Sequence, residues 1–512
     1  MLATSAAEPT VEGLLKSEEA TRQFAAAIAA ALEPGDVVTL SGGLGGGKTT
    51  FARALIRHLS GDPEMEVPSP TFTLVQSYDL SPFPLIHVDL YRVGSEGELI
   101  ELGLADLFEG AVALVEWPEN AAGELPPATI SIAFSLDTER SADARRVRVE
   151  ATRDLPPGVE RLFNFERFLE EAGFGEAKRV RIQGDASSRI YERLERGDRT
   201  AILMIAPRRP DGPPVRDGLP YSRIAHLAED VSPFVAMARA LRQRGLAAPE
   251  VLAADLGEGW LVLEDLGTDG VVTGDPAQIV EERYTAALDV LVALHRETLP
   301  DSLPIAPRVA HDLPRYDAGA FLIEAELLLD WYFPQQGRQA SAEARASFRS
   351  LWEEMLQPAL TARPTWVLRD FHSPNLLWLP EREGIARVGV LDFQDALMGP
   401  AAYDVVSLLQ DARVDVPVPF EDDMVSRYLK ARRAVERDFD MVQFVELYAL
   451  LGAQRATKIL GIFARLNQRD GKPQYLRHQP RVWRNLRRSL AHPSLGRLKA
   501  WYDVHVPPPR TS

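Results

Sequence analysis

Residues 40–50 read LSGGLGGGKTT, and this glycine-rich stretch decides the fold of the first part of the chain. The apolar run at residues 37–40 predicts a buried strand before it, and residues 49–59 carry apolar side chains at helical spacing after it. Glycines allow backbone conformations that other residues avoid, so successive N–H groups can turn inward around a polyphosphate. The stretch therefore predicts a phosphate-binding P-loop between a strand and a helix.

The P-loop motif assigns a role to its polar side chains. The ammonium group of Lys48 would reach the outer phosphates, and the hydroxyl of Thr49 would ligate magnesium. ATP and Mg²⁺ are therefore the predicted cofactors. The residues that we expect to bind the phosphates in this loop are Gly42, Gly45, Gly46, Gly47, Lys48, Thr49 and Thr50.

Two further apolar strands end on acidic residues, the first at Asp89 and the second at Glu116. P-loop proteins place the carboxylate that holds magnesium or its water directly after an apolar strand. Glu116 is therefore the better candidate for this role and Asp89 the second. Thr71 lies in a proline-punctuated loop and is a candidate sensor of the γ-phosphate, whereas His87 is expected to be a packed strand residue.

The first 150 residues resemble the TsaE family, the ATPase subunit of the bacterial complex that makes threonylcarbamoyladenosine in tRNA. The resemblance rests on four motifs in this order: residues 42–50, SPTF at 69–72, HVDLYR at 87–92 and EW at 116–117. It implies an α/β P-loop NTPase domain in which Thr49 and Glu116 bind magnesium and Thr71 and Asp89 serve the nucleotide-responsive site. It also implies the partners TsaB and TsaD, an indirect relation to tRNA, and weak hydrolysis by this domain alone.

A change in composition marks a domain boundary near residue 150. The sequence DLPPG at residues 154–158 breaks regular structure, and a helix is predicted over 160–171. We therefore expect a TsaE-like domain over 1–150, a linker over 151–159 and a second domain over 160–512.

The second domain carries three polar residues in the order of a kinase catalytic loop. Residues 369–375 read RDFHSPN, and residues 391–393 read LDF. Phosphoryl transfer to a hydroxyl needs one carboxylate for that hydroxyl, plus an asparagine and an aspartate that hold magnesium on the phosphates. Asp370 is therefore predicted as the catalytic base, and Asn375 and Asp392 are predicted as magnesium ligands.

The signals for a nucleotide-binding lobe upstream are weaker. A small polar turn at residues 183–191 contains Ser187 and could cover the phosphates through backbone N–H groups. An apolar strand passes into Glu264 and Asp265, which we expect at the hinge that holds adenine through backbone hydrogen bonds.

A kinase would place its phosphate-binding lysine where this chain has Met204. Two compensations are open. Either Arg208 or Arg209 replaces the lysine, or magnesium and backbone groups hold the triphosphate.

From about residue 161 to near residue 500 the chain resembles the aminoglycoside phosphotransferase superfamily, and within it the AmgK-like amino sugar kinases. The resemblance rests on GDAS at 184–187, LMIAP at 203–207, EDLG at 264–267, RDFHSPNL at 369–376, LDFQDA at 391–396 and GPAAYDVVSL at 399–408. It implies an α+β, two-lobed protein-kinase-like fold. It also implies phosphorylation of the anomeric hydroxyl of N-acetylmuramate and N-acetylglucosamine, with Asp404 supporting the catalytic loop.

Other functions remain open at this point. The second domain could phosphorylate another hydroxyl substrate, such as an aminoglycoside, choline or a protein serine, or one half could bind nucleotide as a regulatory module without turnover. A run of basic residues near the C-terminus could form a tRNA-binding patch, although we expect a solvated helical surface or part of the sugar site. These residues are Lys458, Arg465, Arg469, Lys472, Arg477, Arg481, Arg484, Arg487 and Arg488.

The composition limits the class of protein. The chain has 512 residues, a formal net charge of −17 and no cysteine, which excludes disulfides, thiolate metal sites and cysteine nucleophiles. The acidic balance argues against bulk attachment to DNA or an anionic membrane. Neither a secretory signal nor an apolar run of about 20 residues is visible, so a cytoplasmic protein is expected.

Overall fold

The computed structural model of the protein describes residues 9–94, 98, 103–121, 123–137, 143–182, 189–208 and 210–510, with only the backbone at 105 and 106. The chain divides into two compact units, Met1–Glu176 and Ala177–Ser512. Among the described residues, none of the helices combines the length and the apolarity needed to cross a membrane.

A seven-stranded mixed sheet forms the centre of the first unit. Its strands follow the order β1-β7-β6-β2-β5-β4-β3, and the four strands β6, β2, β5 and β4 run parallel. The strands are β1 (Thr10–Leu15), β2 (Val37–Gly42), β3 (Val75–Tyr78), β4 (Leu85–Asp89), β5 (Val112–Glu116), β6 (Ile130–Leu136) and β7 (Arg145–Ala151).

Helices cover the sheet because successive side chains of a strand point to opposite faces. In β2, Val38 and Leu40 join one apolar cluster, whereas Val37 joins the other. The helices are α1 (Glu18–Ala29), α2 (Lys48–Ser60), α3 (Leu104–Leu107) and α4 (Pro157–Glu171), with a 3₁₀ turn at Pro118–Ala121.

The structure corrects the predicted boundary between the units. Helix α4, which the sequence assigned to the second domain, packs against the first unit: the ring of Phe163 lies 5.6 Å from that of Phe24. In addition, Lys16 forms an ion pair with Glu166 at 2.8 Å and donates to the carbonyl of Gly175 at 2.7 Å. The stretch 151–159 is therefore internal to the first unit, because the apolar face of α4 is needed to cover β1 and α1.

A small lobe of antiparallel strands begins the second unit. Its five-stranded sheet follows the order β13-β14-β10-β9-β8 and is accompanied by short two-stranded ladders. The strands of the unit are β8 (Lys178–Ile182), β9 (Ile190–Arg196), β10 (Arg199–Ile205), β11 (Pro214–Arg216), β12 (Leu219–Pro220), β13 (Val251–Asp255), β14 (Trp260–Glu264), β15 (Val272–Thr273), β16 (Gln278–Ile279), β17 (Ser302–Ala306), β18 (Val309–Asp312), β19 (Pro364–Val367), β20 (Leu376–Trp378), β21 (Val388–Val390) and β22 (Leu397–Pro400).

The larger lobe of the second unit is mainly helical and shares one apolar core with the sheet. Its longest helix, α14, begins after Asp440, whose side chain accepts from two backbone N–H groups, and ends at the left-handed Gly471. The helices are α5 (Tyr221–Ile224), α6 (Ser232–Arg242), α7 (Glu281–His295), α8 (Ala318–Leu327), α9 (Phe333–Gln335), α10 (Ala342–Met355), α11 (Gln357–Thr361), α12 (Ala402–Leu409), α13 (Val418–Val435), α14 (Met441–Asp470), α15 (Gln479–Leu490) and α16 (Gly496–His505). A π-helical turn at Leu328–Tyr332 joins α8 to α9, and 3₁₀ turns lie at Ser373–Asn375, Gly384–Arg387, Pro473–His478 and Pro493–Leu495.

Candidate active sites

The parallel strands of the first unit bring its predicted site residues to one edge of the sheet. Leu40 of β2 and Asp89 of β4 both pair in register with Glu116 at the end of β5. The P-loop leaves β2 at the same edge, since the carboxyl ends of parallel strands coincide. The two predicted acids and the P-loop therefore belong to one site.

Backbone geometry at the P-loop requires glycine at two positions. Gly42 has a φ of 124°, and a Cβ atom there would lie 2.1 Å from the carbonyl oxygen of Phe134. Gly47 has a φ of 107° and directly precedes the first turn of α2. Both conformations are strained for residues with a side chain. The loop therefore has the backbone geometry that the glycines of the motif predict.

Lys48 lies buried beneath this loop. Its Nζ atom donates to the carbonyls of Gly42 at 2.7 Å and Gly43 at 3.0 Å, and it lies 3.6 Å from the ring centroid of Trp117. Burial lowers the pKa of Lys48, and the negative charge of Glu116 opposes this effect. The ammonium group is thus held against the loop by carbonyl acceptors that phosphate oxygens could replace.

Glu116 connects the P-loop helix with β4. Its Oε2 atom accepts a hydrogen bond of 2.8 Å from the hydroxyl of Thr49, and its Oε1 atom lies 3.0 Å from Nε2 of His87. His87 is fully buried, as a packed strand residue should be. Its bond to Glu116 was missed because single-sequence periodicity does not reveal contacts between neighbouring strands.

Asp89 organises the loop that contains Thr71. Its Oδ2 atom accepts from the hydroxyls of Thr71 at 2.7 Å and Ser69 at 3.2 Å, and its Oδ1 atom accepts from the backbone N–H of Tyr91 at 3.0 Å. The predicted pair of Thr71 and Asp89 therefore lies in direct contact, separate from the pair formed by Thr49 and Glu116.

Two short antiparallel ladders, β19 with β22 and β20 with β21, bring the predicted triad of the second unit together. Asp370 follows β19, Asn375 directly precedes β20, and Asp392 follows β21. Because β20 and β21 pair antiparallel, Asn375 and Asp392 meet at one end of this ladder, and the Nδ2 atom of Asn375 lies 3.4 Å from Oδ2 of Asp392. The same Nδ2 atom donates to the carbonyl of Asp370 at 3.0 Å, so all three residues share one site.

Asp404 fixes the backbone that carries Asp370. The buried carboxylate of Asp404 accepts from the N–H groups of Leu368 at 2.6 Å and Arg369 at 2.9 Å. Arg369 has a φ of 69°, a conformation that a side chain makes costly. These contacts agree with the supporting role expected for Asp404.

A buried ion cluster lies beneath Asp370. Glu324 is fully buried and pairs with Arg369 and with Lys458, the latter at 2.7 Å, and it accepts from the hydroxyl of Tyr316. Burial alone would raise the pKa of Glu324, but the positive charges of Arg369 and Lys458 lower this pKa to about 2.

Positive side chains also surround the carboxylate of Asp370. Burial acts to raise its pKa, but Lys458 and Arg455 hold the pKa of Asp370 below its ordinary value. Arg455 donates to the carbonyl of Arg369 at 2.9 Å, and its NH2 group lies 4.0 Å from Oδ1 of Asp370. Asp370 is therefore ionised and able to accept a proton.

Asp392 has two neighbours that the sequence did not assign. Its Oδ1 atom lies 3.3 Å from NH1 of Arg189 and accepts a hydrogen bond of 2.9 Å from Gln394. Arg189 directly precedes β9 and belongs to the stretch 183–191 predicted to cover the phosphates. The sequence offered no motif for it, because its contact with Asp392 spans 203 positions.

Met204 and Arg208, two positions considered for phosphate binding in the nucleotide lobe, lie in the described part of the chain. Met204 is buried in the apolar core, and Arg208 pairs with Glu229 at 3.1 Å. Ser187 and Arg209 lie outside the described residues.

The hinge candidates use their side chains within the lobe. Glu264 pairs with Arg242 at 3.0 Å and with Arg382 at 2.5 Å, whereas Asp265 pairs with Arg193 at 2.9 Å. The adenine prediction for Glu264 and Asp265 concerns their backbone groups and stays a prediction.

Many basic side chains near the C-terminus pair with acidic residues of the same unit. Lys458 is buried, which corrects the expectation of a solvated surface at that position, and the internal pairing of the arginines argues against a tRNA-binding patch. The pairs are Lys458 with Glu324, Arg469 with Asp470, Arg481 and Arg484 with Asp415, Arg487 with Asp503, and Arg488 with Glu421.

The oxygen donors at both sites suit magnesium, which prefers hard oxygen ligands and keeps several waters or phosphate oxygens. Thr49 and Glu116 supply a hydroxyl and a carboxylate, and Asn375 and Asp392 supply an amide and a carboxylate. Within the described ranges, no group of three or more His, Asp or Glu side chains could hold a metal alone. Each site therefore fits a metal shared with bound phosphates rather than a metal held by protein alone.

The fold agrees with comparisons to known families. Residues 178–439 match the model of the phosphotransferase enzyme family, and residues 15–147 match that of the threonylcarbamoyl adenosine biosynthesis protein TsaE. The chain belongs to the phosphotransferase enzyme family and carries an N-terminal domain of the TsaE family. The predicted fold class, a P-loop α/β domain followed by a two-lobed phosphotransferase domain, is confirmed, and the chain is an enzyme of two ATP-using families.

Individual relatives match each half separately. The chain is 41% identical to the N-acetylmuramate/N-acetylglucosamine kinase of Caulobacter vibrioides over 350 residues, which cover 66% of this chain and 95% of the relative. It is 42% identical to the tRNA threonylcarbamoyladenosine biosynthesis protein TsaE of Rickettsia bellii over 123 residues, 24% of this chain and 85% of that protein. Among solved structures, the choline kinase LicA from Streptococcus pneumoniae aligns with 63% of this chain and 99% of its own at 14% identity, with a TM-score of 0.42.

Proposed function

We propose that the second unit transfers the γ-phosphoryl group of ATP to the anomeric hydroxyl of N-acetylmuramate or N-acetylglucosamine. The observation that carries this proposal is the convergence of Asp370, Asn375 and Asp392 on one site. The similarity to an N-acetylmuramate/N-acetylglucosamine kinase along nearly its full length supports the choice of acceptor.

In this proposal Asp370 positions the sugar hydroxyl and accepts its proton as the new O–P bond forms. The nearby charges of Arg455 and Lys458 keep its carboxylate ionised before the step. Asn375 and Asp392 hold Mg²⁺, which neutralises phosphate charge when bound. Asp404 keeps the Asp370 loop in place through two backbone hydrogen bonds.

Arg189 supplies the positive charge that kinases usually obtain from a strand lysine. The lysine position is filled by the buried Met204, and Arg208 is engaged by Glu229. Arg189 instead places a guanidinium beside Asp392 and thus beside the metal-bound phosphates. A planar guanidinium suits phosphate oxygens because it can donate two parallel hydrogen bonds.

The acceptor is tested with a panel of amino sugars, aminoglycosides and choline. Phosphorus NMR of the products identifies both the substrate consumed and the hydroxyl modified. We expect a sugar phosphate at the anomeric position of the N-acetylated amino sugars. Consumption of another alcohol with no turnover of any N-acetylhexosamine would refute the proposal.

We infer that the first unit hydrolyses ATP as the TsaE-type component of tRNA threonylcarbamoyladenosine formation, together with TsaB- and TsaD-type subunits. The P-loop backbone and Lys48 bind the phosphates, and Thr49 and Glu116 hold Mg²⁺, which screens the phosphate charge when bound. Thr71 and Asp89 form the nucleotide-responsive pair, since their contact couples the proline-containing loop to the end of β4.

Partner-dependent hydrolysis tests this inference. ATP turnover by the full chain with the sugar omitted should rise when TsaB and TsaD are added, and Lys48→Ala should remove that increase. An unchanged rate with the partners present would argue against this role.

A further inference from the structure

We propose that Arg465 binds a carboxylate of the acceptor and thereby selects N-acetylmuramate over N-acetylglucosamine. This inference rests on the proposed sugar kinase function and names a specificity residue for it. N-acetylmuramate differs from N-acetylglucosamine by a lactyl ether, which adds one carboxylate. A cation in the acceptor cavity would favour the sugar that carries this carboxylate.

The second unit contains a cavity of about 720 Å³ that includes Arg465 in its wall. This volume lies within the range of about 300–1,000 Å³ typical of small-molecule sites. Helix α8 contributes Ile323 and Leu327, and the aromatic side chains of Tyr221 and Trp331 also line the cavity. The wall thus combines apolar and aromatic surface, suited to a sugar ring, with a small number of charged groups.

The cavity borders the phosphoryl-transfer site through Arg189, which lines it and also contacts Asp392 at 3.3 Å. Ala228 lines it as well, and its N–H donates to Asp395 at 2.6 Å, three residues after Asp392. Asp370, Asn375 and Asp392 are not among the lining residues. The body of the acceptor therefore occupies this cavity in the proposal, and its reacting hydroxyl extends past Arg189 toward Asp370.

The acidic residues of the cavity wall are already neutralised or engaged. Asp211 pairs with Arg223 at 2.8 Å, Glu229 with Arg208 at 3.1 Å, and Asp330 with Arg345 at 2.7 Å. Asp230 accepts from the backbone N–H of Ser232 at 2.8 Å. These carboxylates consequently do little to oppose the entry of an anionic acceptor.

The two arginines that α14 contributes to the wall differ in their partners. Arg469 makes a two-fold contact with Asp470, at 2.7 and 3.0 Å. Arg465 lies over the ring of Tyr221, 5.2 Å from its centroid. Its Nε atom is buried without a hydrogen-bond partner among the described residues, so the donors that can face the cavity are those of its two terminal nitrogens. A guanidinium matches a carboxylate in geometry.

The test compares the two sugars, which are identical except for the lactyl group. For Arg465→Gln we expect the KM for N-acetylmuramate to rise roughly tenfold to a hundredfold, since a charge-assisted hydrogen bond is lost. The KM and kcat for N-acetylglucosamine should stay within about twofold of wild type, because that sugar has no group for Arg465 to bind. Arg484→Gln is the control, because it removes a guanidinium that pairs with Asp415 and is not among the cavity-lining residues; it should change the kinetics of neither sugar.

Binding provides a second readout that does not require turnover. Isothermal titration calorimetry with N-acetylmuramate should show weaker binding to Arg465→Gln than to wild type, and thermal unfolding checks that the variant is folded. Equal effects on both sugars, or none on either, would overturn the role of Arg465. Wild-type protein that phosphorylates neither sugar would instead overturn the kinase proposal itself, so the two failures are distinguishable.

Discussion

The hydroxyl of Thr49 donates to Oε2 of Glu116 at 2.8 Å, across 67 positions of sequence. This bond joins the first turn of the P-loop helix to the end of β5 and defines where a metal would sit. The opposite oxygen of Glu116 is held by His87 at 3.0 Å. The carboxylate is thus oriented from both sides before any nucleotide binds.

Replacing Glu116 by glutamine should reduce partner-stimulated ATP hydrolysis by about a hundredfold or more, because the neutral amide removes the negative charge that the carboxylate offers to magnesium. Phosphate release measured with TsaB and TsaD present checks this result. Glu119→Gln is the control, since Glu119 follows Trp117 in the same turn but was assigned no ligand role. Hydrolysis by Glu116→Gln close to the wild-type rate would remove Glu116 from the site.

Arg189→Gln should raise the KM for ATP by about tenfold in the kinase assay, because it removes the guanidinium beside Asp392. The KM for the sugar should change little. Lys178→Gln removes an exposed ion pair with Glu195 in the same lobe and serves as the control. If magnesium and backbone groups alone hold the triphosphate, the two variants will behave alike.

Glu324→Gln should destabilise the second unit by about 3 kcal/mol, because Arg369 and Lys458 would remain buried without their counter-charge. Urea unfolding at neutral pH measures this loss. Glu354→Gln, which breaks an exposed pair with Arg497, should cost little and is the matched control.

The contribution of Glu324 to the free energy of unfolding should decrease as the pH falls. Its pKa is about 2 in the folded protein and about 4.5 in the unfolded chain, so the ionised form favours folding. The contribution is fully present above the unfolded pKa and is lost as the pH falls from about 4.5 toward about 2. The difference in the free energy of unfolding between wild type and Glu324→Gln should therefore become smaller over that range. A difference that grows on acidification would contradict the stabilising role of ionised Glu324.

Much of both sites follows from local sequence. Short motifs fix the backbone geometry within a few residues of each site. They predict the P-loop, the position of Glu116 at the end of a strand, and the positions of Asp370 and Asp392 directly after strands. Parallel pairing of β4 and β5 then brings Asp89 next to Glu116 without further information.

Other features depend on contacts between distant segments and could not be predicted in this way. His87 looked like a packing residue because its partner lies on another strand, and Arg189 has no motif of its own. Helix α4 was assigned to the wrong unit because its apolar face identifies a buried helix but not the surface that it covers. Long-range packing, rather than local propensity, decides each of these cases.

In the proposed reaction Asp370 activates the anomeric hydroxyl of an N-acetylated amino sugar. Phosphorus NMR follows the transfer from ATP to N-acetylmuramate and N-acetylglucosamine by wild-type protein and by Asp370→Asn, with thermal unfolding as the control for folding and ATP binding at the P-loop as a readout of the first unit. We predict a sugar phosphate at the anomeric position with wild type, loss of nearly all turnover with Asp370→Asn, and unchanged P-loop binding. Turnover by Asp370→Asn near the wild-type rate, or a wild-type product phosphorylated at another hydroxyl, would contradict the claim.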